Sequence, residues 1–198
     1  MNISIMMKPA SSNCNLRCKY CFYNDLSSHR EMPSRGIMSQ DTLRNILKKA
    51  FDFAGDDKVM LSFQGGEPLI AGKEFFKNVH AIIRELNVRK CPVYIGIQTN
   101  GTLIDQAFCD RVKEVGNMAF FISIEGIGDA TDDRRGEGVY DRVMHAMDLL
   151  KEHGIVFGTS ICYTRDNIEA VTSDEFMRFL CDKGAHFGFY FHYMPVGN

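Results

Sequence analysis

Three cysteines crowd into eight residues, Cys14-Asn15-Leu16-Arg17-Cys18-Lys19-Tyr20-Cys21, in a C-x3-C-x2-C pattern. Three thiolates this close can each take one corner of an iron–sulfur cube, and no fourth cysteine lies in the same loop. Such a cube keeps one iron open to another ligand. A structural zinc ion would normally want four ligands, commonly as two separated pairs, and His29 is the only nearby addition. A zinc-stabilised binding module is therefore the competing reading of the same residues. The remaining four cysteines, Cys91, Cys109, Cys162 and Cys181, are scattered and read as small core hydrophobes. Seven is an odd number, and this is not the pattern of a small secreted disulfide framework.

Other residues with chemical potential stand in short polar runs. These are Gln64-Gly65-Gly66-Glu67-Pro68, Gln98-Thr99-Asn100-Gly101, Ser123 with Glu125-Gly126, Asp132-Asp133-Arg134-Arg135, and His192-Tyr193-Met194. Paired glycines let a ligand approach the backbone closely. The pairs Gly126-x-Gly128 and Gly136-x-Gly138 lack the third glycine of a dinucleotide loop. No Ser-His-Asp arrangement follows from the spacing.

What must position these runs is an alternation of short apolar segments with helix-period segments. Strands are expected over 3–8, 59–63, 93–97, 119–124, 155–162 and 187–194. Between them, Ser39 opens a helix carrying Leu43, Ile46, Leu47, Ala50, Phe51 and Ala54, and Gly55 ends it. Phe76, Val79, Ile83 and Leu86 mark a second helix. Thr102 with Asp105 resembles a cap before a third, with Ile104, Phe108, Val112 and Val115. Tyr140, Val143, Met147 and Leu150 mark a fourth, closed by Gly154. A Thr172–Glu175 capping box opens a fifth, with Phe176, Phe179 and Leu180.

Strict alternation implies right-handed crossovers and a parallel sheet. A closed eight-stranded barrel needs ~250 residues, and this chain has 198. The expected fold is α/β, a partial, open (β/α)6 TIM-like barrel, with a doubly wound sheet as the other arrangement. Parallel α/β folds carry their chemistry at the carboxyl ends of the strands, where the polar runs fall. The methionines and the terminal Phe187, Phe189, Tyr190, Phe191 and Tyr193 are expected to pack the barrel interior.

Composition narrows the partners. With 45% hydrophobic and 24% charged residues the chain is that of a globular domain, and its net charge of −2 gives no electrostatic footprint for nucleic acid. No apolar run approaches the ~20 residues of a membrane span, and no secretory signal opens the chain. The expectation is a cytoplasmic protein with no membrane and no nucleic-acid partner.

The run 7–23, with its three cysteines, resembles the signature of the radical S-adenosylmethionine (SAM) superfamily. Ser62-Phe63-Gln64-Gly65-Gly66-Glu67-Pro68 and Gln98-Thr99-Asn100-Gly101-Thr102 narrow the likeness to the core of anaerobic sulfatase-maturating enzymes. The match is close over about 6–104 and looser beyond. The resemblance implies a [4Fe–4S] cluster on Cys14, Cys18 and Cys21 whose open iron is chelated by S-adenosyl-L-methionine. Reductive cleavage would then yield a 5′-deoxyadenosyl radical that abstracts hydrogen from substrate. An external electron donor of flavodoxin or ferredoxin type is implied as well.

By the same resemblance, Tyr20 lies near the adenine, and Gly65, Gly66 and Glu67 form the turn that holds the SAM amino group. Ser123 stands near the ribose and carboxylate. Arg135, or Arg134 one register away, pairs with the SAM carboxylate. The family more often has Asp where this chain has Glu125. A bulky residue at Gly66 should weaken SAM binding and leave the iron in place. The implied substrate is a protein or peptide whose Cys or Ser is oxidised to formylglycine; another ribosomal peptide or a small metabolite is the alternative. Residues 1–198 would form the radical SAM core, with the cluster loop over 10–35. A cysteine-rich C-terminal domain with auxiliary clusters, and its catalytic base, would lie outside this chain.

Overall fold

The computed structural model describes residues 1–195; residues 196–198 and the side chain of Val115 lie outside the described residues. Six strands follow the apolar runs: β1 (Ile3–Met7), β2 (Val59–Phe63), β3 (Val93–Thr99), β4 (Met118–Ser123), β5 (Phe157–Tyr163) and β6 (Gly188–His192). They form one parallel sheet in the order β1-β2-β3-β4-β5-β6. Sequential order with right-handed crossovers puts every connecting helix on the same face of the sheet. The sheet therefore curls into an open half-barrel, and the doubly wound alternative is excluded.

The helices are α1 (Phe22–Ser28), α2 (Gln40–Ala54), α3 (Lys73–Leu86), α4 (Gln106–Val115), α5 (Asp129–Arg135), α6 (Val139–Glu152), α7 (Ile168–Val171) and α8 (Asp174–Lys183). Alternate strand residues pack beneath them: Leu61 and Phe63, Ile95 and Ile97, Phe120 and Ile122, Phe157 and Ile161 are all nearly or fully buried. Helix residues Leu43, Leu47, Phe76, Val79, Val143, Met147 and Leu150 complete that layer. Period-2 alternation then turns Met6, Met60, Tyr94, Phe121, Ser123 and Ser160 to the other, concave face. Met6 and Tyr94 are 63% and 56% exposed, so that face is open to solvent at β1 and at the start of β3.

Several expectations need correction. The cap of α4 is Asp105 alone, whose carboxylate accepts from the Phe108 N–H at 2.7 Å. Thr102 bonds instead to Asn100. Ser173, not Thr172, caps α8 and accepts from the Phe176 N–H at 3.2 Å. Val115 closes α4, its side chain being outside the described residues.

Phe189, Tyr190 and Phe191 are exposed rather than interior, because β6 is the last strand of the sheet and no further strand flanks it among the described residues; the Tyr190 hydroxyl donates to the Val171 carbonyl at 2.6 Å. Phe187 and Phe189 do reach the concave face, where both touch Phe121. Of the methionines, Met7, Met118 and Met147 are buried, while Met1, Met6, Met32, Met60, Met177 and Met194 are exposed. Cys91 and Cys109 are buried as expected, Cys162 is half-buried and Cys181 is exposed.

Candidate active site

The polar runs meet at the carboxyl end of the sheet. β1 delivers the chain into the cluster loop, which is tied at its base by Met38 N–H to Pro9 carbonyl at 2.7 Å and by Arg35 N–H to Ser11 Oγ at 3.1 Å. Cys14, Cys18 and Cys21 are all half-buried on this loop, and Cys21 stands just before α1. Burial pushes the Cys14 and Cys18 thiols up, and the neighbouring cysteines add to the rise; Arg135 works against it at Cys18.

Among the described residues, no three His, Cys, Asp or Glu side chains converge as they would on a single ion. Three half-buried thiols on one loop are a donor set that fits three corners of the cube. His29 Nδ1 bonds to the Asp25 carbonyl at the exposed end of α1.

The glycine pair follows β2 and is packed hard against the cluster loop. Gly66 has φ +56°, and a Cβ there would lie 2.3 Å from the Asn13 carbonyl oxygen, next to Cys14. Gly65 has φ +83°, and a Cβ would meet the Lys8 side chain at 2.8 Å. Only glycine meets both demands. Gly66 is thus packed against the backbone of the cluster loop itself.

Glu67 is fully buried, and its carboxylate faces the protein. It accepts from Leu69 N at 2.9 Å, Thr99 Oγ1 at 2.7 Å and Asn100 N at 2.7 Å, while its own N–H donates to Asn13 O at 2.8 Å. Burial raises its pKa and these donors oppose the rise. Through these bonds Glu67 fastens the turn to the cluster loop and to the end of β3.

A second buried group sits under Tyr20. Glu125 leaves the end of β4 and bonds through Oε1 to Arg135 Nη1 at 3.0 Å and to the Tyr20 hydroxyl, and through Oε2 to the Cys162 N–H at 2.9 Å. Tyr20 in turn accepts from Arg135. The guanidinium of Arg134 lies 4.8 Å from the Tyr20 ring centroid and donates to the Cys162 carbonyl and Thr164 Oγ1. Lys19 N–H donates to the Arg134 carbonyl at 2.9 Å.

The cluster loop is therefore bound to α5 and β5 through the residues between Cys18 and Cys21. Arg135, taken from the resemblance as a partner for the SAM carboxylate, has Glu125 as its carboxylate partner. Among the described residues the buried Nε atoms of both arginines have no hydrogen-bond partner, and Arg134 Nε lies 4.0 Å from Glu125 Oε2. Burial pushes Glu125 up, against the pull of Arg135.

Ser123 ends β4 half-buried on the concave face, where Gln98 Nε2 also reaches Ser160 Oγ at 3.0 Å. Sequence reasoning missed Asn15, Thr102, Thr131 and Asn167. Asn15 and Asn167 bond to partners distant in the chain, whereas Thr131 bonds within its own segment and Thr102 bonds both to nearby Asn100 and to distant Asn15. Asn167 Nδ2 reaches the Glu125 carbonyl at 3.2 Å, and Thr131 Oγ1 accepts from the Glu125 N–H at 3.0 Å.

An open half-barrel with a three-cysteine loop after its first strand and a glycine turn after its second defines a class of cluster-bearing radical enzyme. Residues 9–179 match the family model described as the Radical SAM superfamily. The chain is 36% identical over 160 residues to the cysteine-type anaerobic sulfatase-maturating enzyme of Clostridium novyi (strain NT), covering 79% of this chain and 42% of that one. It is 32% identical over 157 residues to the serine-type enzyme of Klebsiella aerogenes, covering 77% and 38%.

The solved structure of native anSMEcpe with bound AdoMet (SAM) and the Cp18Cys peptide superposes with a TM-score of 0.86 at 29% identity, covering 98% of this chain and 52% of that one. The chain belongs to the radical SAM superfamily. The cofactors of that superfamily are a [4Fe–4S] cluster and SAM, and the chain spans less than half the length of those two curated relatives.

Proposed function

We propose that this chain is the radical SAM core of an enzyme that oxidises a Cys or Ser side chain of a protein or peptide to formylglycine. The observation that carries the reading is the 36% identity to a cysteine-type sulfatase-maturating enzyme across 160 residues, 79% of this chain. With the cofactors bound, one-electron reduction at the cluster cleaves the SAM sulfonium to a radical able to abstract hydrogen. An external flavodoxin- or ferredoxin-type donor would supply the electron.

The chain's own residues would divide the work as follows. Cys14, Cys18 and Cys21 hold the cluster. The backbone of Gly65 and Gly66, with Ser123 at the end of β4, lines the SAM side, and Glu67 keeps that turn in place from beneath. Tyr20, clamped by Glu125, Arg134 and Arg135, fixes the loop between two of the cysteines. Among the described residues, Arg134 and Arg135 each have one buried N–H that makes no hydrogen bond.

The concave face above Phe121 and Ser160 would seat the substrate and exclude water from it. Residues 1–198 would form the core alone, with cluster loop 10–35, and an auxiliary cluster domain outside this chain would complete the enclosure. Three thiols kept free for iron suit the reducing cytoplasm.

A peptide bearing Cβ-deuterated Cys or Ser in a sulfatase-type sequence tests this. Incubated with the reconstituted chain, SAM and dithionite, it should pass deuterium into 5′-deoxyadenosine and acquire an aldehyde, with 5′-deoxyadenosine in excess over aldehyde. No deuterium transfer from either peptide, with transfer from a small metabolite, would contradict it.

A further inference from the structure

The three cysteine sulfurs are not equivalent. Cys14 Sγ accepts from two N–H groups, Leu16 N at 3.4 Å and Asn100 Nδ2 at 3.8 Å. Among the described residues no hydrogen bond reaches the sulfur of Cys18 or Cys21. The Asn100 side chain is held in one orientation by a closed ring of three side-chain bonds. Asn100 Nδ2 donates to Asn15 Oδ1 at 2.9 Å, Asn15 Nδ2 donates to Thr102 Oγ1 at 2.8 Å, and Thr102 Oγ1 donates to Asn100 Oδ1 at 2.7 Å.

The Thr102 N–H adds a second donor to Asn100 Oδ1 at 2.9 Å. An amide has two N–H groups and one oxygen. With its oxygen taken by two donors and one N–H in the ring, Asn100 has one N–H left, and it is aimed at Cys14. Flipping the amide would break the bonds to Thr102 and Asn15 and turn an oxygen toward the sulfur. From below, the buried Glu67 carboxylate fixes the Asn100 backbone N–H at 2.7 Å.

We propose that Asn100 is a positioning residue for the cluster: its locked amide fixes Cys14 and, by donating to the sulfur, raises the cluster's reduction potential. The inference rests on the reading of Cys14, Cys18 and Cys21 as ligands. A donor to a thiolate draws charge off the sulfur and so favours the reduced cluster, which carries one more negative charge. The device serves an enzyme that must accept an electron before it can act.

The test is a redox titration, followed by electron paramagnetic resonance, on the full chain reconstituted anoxically with iron and sulfide. Asn100→Asp keeps the shape but replaces the donor with an oxygen. At a fixed potential its reduced-to-oxidised ratio should fall about tenfold, which is about 59 mV for a one-electron couple. Thr102→Val leaves Asn100 in place and opens the ring, and should shift the midpoint the same way by less.

Unchanged midpoints in both variants at full iron loading overturn the proposal, whatever happens to thermal stability. If Asn100→Asp takes up no iron, Thr102→Val decides alone: a negative shift supports the proposal and no shift overturns it. A wild-type chain that takes up no iron overturns the ligand reading, and this proposal with it.

Discussion

Glu125 Oε1 and Arg135 Nη1 lie 3.0 Å apart with side chains only 1% and 5% exposed, so the pair is an internal fixture of the site. Desolvating both charges is costly, and such a pair is weak evidence for net stability. Removing one partner is a different matter. Glu125→Ala leaves a buried guanidinium without its counter-charge and the Tyr20 hydroxyl and Cys162 N–H without an acceptor. Urea unfolding should show a loss of about 3–5 kcal/mol. Glu125→Gln keeps an acceptor and should lose less. Both should retain iron less well, since Tyr20 sits beside Cys21. Equal stability of Glu125→Ala and wild type would show that the pair does not hold the loop.

Gly66→Ala should release iron as well as weaken SAM binding. Its Cβ would strike the backbone carbonyl of Asn13, which has no flexible end to move, at a φ that side chains rarely adopt. Iron per chain after desalting is the measurement; full retention with lost SAM affinity would place the glycine's role on the cofactor side alone.

Burial pushes His80 down from 6.5 to about 4, and its Nε2 is buried without a partner. The folded protein therefore holds this ring neutral while the unfolded chain protonates it. Stability is present above the ordinary histidine value and is lost as pH falls from 6.5 toward 4. His80→Leu should flatten that acid limb by roughly 1 kcal/mol, a figure already reduced for the ring's partial exposure. Parallel unfolding curves for the two proteins across this window would sink the assignment.

Much of this was legible in the chain itself, for identifiable reasons. The six strands announce themselves because each is an apolar run between turn signals, and their strict alternation with helices leaves few topologies. Helices α1 and α5 escape notice because Phe22–Ser28 buries nothing and Asp129–Arg135 buries only Thr131 and Arg135. They are held by the loops around them rather than by an apolar stripe. The cysteines are found by spacing, since their ligand geometry is local. The ring of Asn15, Asn100 and Thr102 is not, because Asn15 meets its partners across 85 and 87 residues. Glu67 was read by its place in a motif, but where its carboxylate points is a property of the folded core.

The central claim, that three cysteines on the β1 loop hold a cluster that cleaves SAM, has one direct measurement. The chain is reconstituted anoxically, given SAM and dithionite, and assayed for 5′-deoxyadenosine and methionine beside Cys18→Ala. The wild type should form both products in equal amounts, and Cys18→Ala should form neither, because losing one thiolate destabilises the cube. Iron-loaded, SAM-saturated wild type that forms no 5′-deoxyadenosine, or Cys18→Ala that forms as much, would contradict the account.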